Sequence, residues 1–214
     1  MTIPKTPFLR SVAVPIGNDD LKIIAENIGI IDKAGIITEA TSAHRFDLPF
    51  YDNVDLISLS DPKWQPAGVT VYFLRNGDDL IRLDGTSPPL HMINANAPVK
   101  INGANVLEYL LFFCFFVRGE EGPFLICEDE NNPYIPDSVA SSDVSENIEP
   151  PQIFGRSLDG HWQVSAIVFY SNALFGSDFS VQPTGMIEML EDDPILQDLP
   201  GKVNAPIKLA DPDQ

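Results

Sequence analysis

VLEYLLFFCFFV, residues 106–117, carries one charged side chain, Glu108, and five aromatic residues. Asn105 followed three residues later by Glu108 resembles a helix start, a small polar cap with a carboxylate reaching back to the free amide. Arg118 and Gly119 supply the matching stop, a cation at the negative end of the helix dipole and then a residue that accepts left-handed dihedrals. Aromatic and β-branched residues lower helix propensity. A buried strand of this length would be unusual, so length and caps predict a helix over about 105–118. Such a helix spans about 18 Å, against roughly 30 Å of bilayer hydrocarbon, so no membrane span is expected. Apolar on every side, it reads as a core helix. Glu108, Phe112 and Phe115 share one stripe. If a side is thinly covered, this is the side expected, and self-association would bury Phe112 and Phe115.

The remaining chain has to cover that helix. With 44% hydrophobic residues in 214, it can bury a sizeable core, while 19 prolines and 14 glycines favour short strands and turns. Val54–Leu59 alternates as a strand, and Leu21–Ile28 reads as a short helix or a first strand. Ile30-Ile31 and Ile36-Ile37 flank a hairpin turn. VTVYFLRNGDDLIRLD, residues 69–84, is a clearer hairpin. Placing Val69, Val71, Phe73, Ile81 and Leu83 on one face requires a three-residue loop, Arg75-Asn76-Gly77, pairing Leu74 with Asp78. Leu90–Ile101, with Pro98, predicts an irregular or edge strand, and Phe124–Cys127 a central one. Trp162–Tyr170 alternates well, and Phe179–Val181 and Met186–Leu190 follow as strands. No repeat is visible. The expected fold is α+β, a mostly antiparallel, turn-rich sheet packed on or curled around one buried apolar helix. The whole of 1–214 reads as a single domain. It carries a proline-punctuated arm (1–18), an acidic Pro/Ser-rich excursion (128–152) with Tyr134 and Ile135 as tacking points, and an acidic surface tail (191–214).

Charge is unevenly placed. Residues 1–118 hold 13 acidic and 10 basic side chains, residues 119–214 hold 18 and 3, together giving the net −18. A field of that sign disfavours direct nucleic-acid binding and anionic membranes, and serves solubility or attracts a basic protein partner. Cys114 and Cys127 read as buried, reduced thiols rather than a disulfide framework. With no secretory signal in the sequence, they place the expected location in the cytoplasm.

The sequence has no phosphate-binding glycine loop, no dinucleotide fingerprint, no nucleophile elbow and no HExxH, so no cofactor or metal is expected. Three weaker candidates remain. His44, Arg45 and Asp47 lie within four residues, Arg45 and Asp47 being positioned for a surface pair. His161 follows the turn Asp159-Gly160 at the entry to a strand. Glu128–Asn131 and Glu191–Asp193 offer oxygen ligands without the spacing of a preformed calcium loop. The function expected is a non-catalytic binding or accessory module meeting a basic protein partner through the acidic C-terminal half. The alternatives are a small hydrolase-like enzyme with His44, Asp47 and His161 gathered into one site, and a self-associating structural protein.

Overall fold

A computed structural model describes residues 8–27, 37–129, 132–139 and 142–210. The architecture is mixed α+β and strand-rich, with antiparallel pairing throughout. In chain order the elements begin with β1 (Val14–Pro15), α1 (Asn18–Asn27), β2 (Ser42–Asp47), β3 (Val54–Ser60), β4 (Thr70–Asn76) and β5 (Asp79–Leu83). Next come α2 (Pro88–Asn96), α3 (Val106–Phe116), β6 (Arg118–Gly119), β7 (Gly122–Pro123) and β8 (Leu125–Cys127). The chain continues through α4 (Ser142–Glu146), β9 (Gln152–Arg156), β10 (Trp162–Tyr170), β11 (Ala173–Val181) and β12 (Ile187–Leu196). Strands β1 to β5 form a meander in sequence order. A second sheet runs β12-β11-β10-β8, with β9 also on β10, and β6 and β7 pair as a small ribbon. The one buried apolar helix expected from the sequence is thus one of four among the described residues, α1 taking the helical alternative for the described part of Leu21–Ile28, and the single sheet is divided.

α3 is buried nearly all round, as its composition requires. Phe112 is 0% and Phe115 2% exposed. Phe8 stacks on Phe115 at 4.2 Å between ring centroids, Tyr134 lies at 5.3 Å, and Tyr72 and Phe50 meet neighbouring rings. The stripe expected to be thinly covered is therefore sealed by the chain itself, and Phe112 and Phe115 offer no outward surface for self-association. The described end of the N-terminal arm contributes Phe8 and Leu9 to this cover. The caps also differ from expectation. The Asn105 side chain takes the Asn102 amide and donates to the carbonyls of Pro49 and Lys100, and Glu108 accepts from the Arg10 amide at 2.9 Å. Both polar groups meet distant chain because the helix start is buried, which leaves no solvent-facing first turn to cap. At the other end Arg118 Nε does donate to the Phe115 carbonyl, at 3.0 Å, while Val117 is extended and Gly119 has no left-handed φ.

The first sheet is apolar on both faces. Phe46, Leu56, Tyr72, Leu74 and Leu83 join the cluster built on α3. Ala43, Ile57, Leu59, Val71 and Phe73 form a second cluster with Leu21 and Ile24 of α1, Trp64 and Val69. This corrects the predicted hairpin register. Asn76 pairs with Asp79 and Leu74 with Ile81 around a two-residue Gly77-Asp78 turn, with Gly77 at φ +62°. Val71 and Phe73 need not share a face with Ile81 and Leu83, because each face has its own core. Gly77 as the first of two turn residues suits a tight hairpin.

Other boundaries move as well. Pro88 and Pro89 open helix α2, where their fixed φ is already helical, so the strand predicted over Leu90–Ile101 is a helix ending at Asn96, before Pro98. β8 pairs with β10 alone, at the end of its sheet rather than centrally. The 128–152 excursion holds α4, buries Val139 and Val144 besides its contacts through Tyr134 and Ile135, and gives Gln152 to β9. The supposed tail begins as strand, since β12 runs on to Leu196. The hairpin around residues 30–37 lies outside the described residues apart from Ile37. No helix among the described residues is long and apolar enough to cross a membrane.

Candidate interaction surface

Among the described residues β12, IEMLEDDPIL, pairs only with β11 and forms one edge of the second sheet. Its register fixes where the charges go. Ser180 lies opposite Glu188, Asp178 opposite Glu191 and Gly176 opposite Asp193, and alternation places Glu188, Glu191, Asp193 and Asp178 on one exposed face. A shift in register after Asp178 leaves Leu190 as an extra, exposed residue. Two carboxylates directly opposed across an antiparallel pair repel each other. Among the described residues no salt bridge reaches Asp178, Glu188, Glu191, Asp192 or Asp193. Of the three cations in residues 119–214, Arg156 lies over the Trp162 ring at 4.6 Å and Lys202 pairs with Glu121 at 2.6 Å. The third, Lys208, lies near Asp84, so among the described residues no cation is paired to the acidic face. Exposed apolar side chains interleave with the acids along the same strand and its entry: Met186, Met189, Leu190 and Ile195.

A second feature is a groove of about 440 Å³ between the β5–α2 connection and the β6–β7 ribbon, lined by Asp84, Gly85, Thr86, Arg118, Glu120 and Lys208 among others. Asp84 is held below the usual carboxylate range by the Thr86 hydroxyl and amide, against some desolvation, with Lys208 nearby. Arg118 looks inward. Its Nη1 donates to the Ala205 carbonyl at 2.5 Å, its guanidinium lies 4.9 Å from the Phe115 ring centre, and its Nη2 is buried with no acceptor among the described residues. Burial brings this group down to about 10, despite the opposing influence of the Tyr72 and Tyr134 hydroxyls. Arg118 thus fastens the end of α3 to the C-terminal segment, and of the groove's polar groups Asp84 and Thr86 are bonded to each other.

Among the described residues His44, Asp47 and His161 share no hydrogen bond or ion pair, while Arg45 and Asp47 form the expected surface pair. His44, on β2, is 3% exposed between Pro15 and Ser58 of the neighbouring strands, with Nδ1 lacking a partner among the described residues. Burial lowers its pKa. Asp47 is exposed at the end of the same strand, and Arg45 lies 3.7 Å from it as a surface pair. His161 belongs to the other sheet's hairpin. Its amide donates to Ser157 Oγ, and its ring Nδ1 lies 3.2 Å from Ser180 Oγ. The hydrogen bonds and ion pairs of these three connect none of them to another, and none lines the groove. Cys114 and Cys127 are buried and unpaired, each thiol pushed up to about 12 by burial, which suits packing and not nucleophilic chemistry. Among the described residues no group of three or more His, Cys, Asp or Glu is placed to hold a metal ion.

Asp178 is the residue that sequence reading passed over. It is a lone acid in ALFGSDFSV, and only strand pairing reveals Glu191 opposite it. Comparison with protein-family models, curated proteins and solved structures gave no match to this chain.

Proposed function

We propose that the protein is a non-catalytic binding module that meets a basic protein partner through the acidic outer face of β11 and β12. One observation carries this reading: Asp178 and Glu191 stand directly opposite each other, flanked by Glu188 and Asp193, with no described cation paired to them. Solubility alone accounts for many acidic side chains. It gives no reason to set two of them at opposed positions, where their repulsion weakens the sheet. A complementary cationic surface would relieve that repulsion on contact, and would be drawn in at a rate that falls as salt rises.

The test compares the whole chain with a Glu188→Gln/Glu191→Gln/Asp193→Asn variant as baits for a set of purified basic and acidic proteins. Retention of basic proteins by the parent, released by moderate salt and lost on the variant, is the expected result. Equal retention by both baits would sink the reading.

A further inference from the structure

The edge of β12 offers more than charge. Every second residue of an edge strand turns its backbone N–H and C=O away from the sheet, where no neighbouring strand receives them. Among the described residues β12 has this open side along its length, and its side chains are exposed from Glu188 to Ile195. Acidic charge, a bulge and a proline are also what a sheet uses to prevent edge-to-edge association, and β12 has all three in Glu191–Asp193, Leu190 and Pro194. That defence acts against a second copy of this chain, whose own edge carries the same negative charge. Its charge does not act against a cationic strand, for which the same carboxylates are attractive. The bulge and Pro194 resist any added strand, and Pro194, with no N–H to donate, bounds the pairing segment at Asp193. The exposed Met186, Met189 and Leu190 are an independent sign. Exposed apolar side chains on and beside an otherwise acidic strand lower the solubility that the acids provide, and the two methionines, unbranched and flexible, adapt to apolar side chains of varied shape.

We infer that β12 is a strand-addition site over Ile187–Asp193, and that its occupant is an extended segment of the partner protein in which basic and apolar residues alternate. Backbone pairing supplies affinity, and the two sets of side chains supply the match, lysine or arginine over Glu188, Glu191 and Asp193, apolar residues against Met189 and Leu190. This rests on the acidic-surface reading above and adds to it the form of the ligand.

The probe is a fluorescent eight-residue peptide alternating lysine and valine, presented to the full chain at low salt. A control peptide of the same sequence carries methyl groups on four consecutive central backbone amides, which blocks pairing from either of its edges while keeping its charge. The inference expects the parent peptide to bind, and amide exchange to slow over Ile187–Asp193. It expects methylation to weaken binding by about tenfold or more, and the Glu188→Gln/Glu191→Gln/Asp193→Asn variant to lose the parent peptide to a similar degree. Equal binding of both peptides would overturn strand addition and leave the acidic-surface reading standing. Binding of neither would overturn both. Undiminished binding to the charge variant would place the peptide elsewhere and also overturn the inference.

Discussion

At the scale of single residues, burial decides what the titratable groups can do. Cys114 and Cys127 sit in apolar surroundings that hold their thiols near 12, so a thiol reagent at pH 8 should leave both unmodified in the folded chain. Both should react once guanidinium unfolds it, and modification of either without unfolding would contradict their placement. His44 has its pKa lowered by burial from 6.5. The unfolded chain takes up that proton near pH 6.5, whereas the folded chain resists until the pH is lower. Stability from the neutral ring is therefore fully present above pH 6.5 and lost as pH falls beneath it through the folded value. Urea midpoints measured from pH 7.5 to 5 should decline in the parent, and a His44→Phe variant should decline less. Asp61 acts in a lower window. Burial pushes its carboxyl up, but hydrogen bonds from Thr38, Lys63 and Thr41 outweigh this and lower it from 3.8, so its contribution persists above 3.8 and is lost below.

At the scale of elements, α3 and β12 make opposite predictions. Phe113 is buried in α3, and replacing it with aspartate puts an unpaired carboxylate into the core. Phe113→Asp should abolish the cooperative unfolding transition, read by circular dichroism. On β12, Glu191→Gln should stabilise the protein by roughly 0.2–1 kcal/mol at low salt, because it relieves the repulsion with Asp178. That gain should shrink in a urea series at high salt, where the repulsion is already screened. How much of these elements could be read from sequence follows from what each depends on. α3 announces itself because twelve nearly uncharged residues have few other solutions, and β10 emerges at its full extent, Trp162–Tyr170, from simple alternation. The β4–β5 register is hidden because a single apolar face would set Phe73 and Leu83 together, whereas they serve different cores. α2 is hidden because Pro98 suggests an irregular or edge strand over Leu90–Ile101, whereas Pro88 and Pro89 just before it fit a helix's first turn. Cross-strand partners such as Asp178 and Glu191 are a property of pairing, which neither local segment contains.

At the scale of the molecule, a chain segment near the C-terminus ties distant parts together. The Leu199 amide donates to the Asn172 carbonyl, Arg118 reaches Ala205, Thr70 donates to Pro206, and the Ala210 amide to Gln65. Ile207 is buried in the cluster that also holds α3 and residues of both sheets. The two tryptophans report on different regions, Trp64 from the cluster under α1 and Trp162 from the second sheet against the larger cluster. Single-tryptophan variants, Trp64→Phe and Trp162→Phe, should therefore give coincident urea transitions by fluorescence. Separate midpoints would mean that these ties do not couple the two sheets.

The two-sided core of the first sheet also bears on how the chain reaches its native state. In a sheet with one wet face, a strand that slips by one residue exposes its oil and is rejected at once. Here a slipped β3 or β4 exchanges one apolar row for another, so misaligned hairpins lie closer in energy to the correct one. The markers that distinguish them are few and polar: His44 beside Ser58 within one face, Arg75 bonded to Asp55 at 2.5 Å, and Asp61 held by Thr38 and Thr41. Those contacts, with the tight Gly77-Asp78 turn, are what favour the native strand alignment over a slipped one.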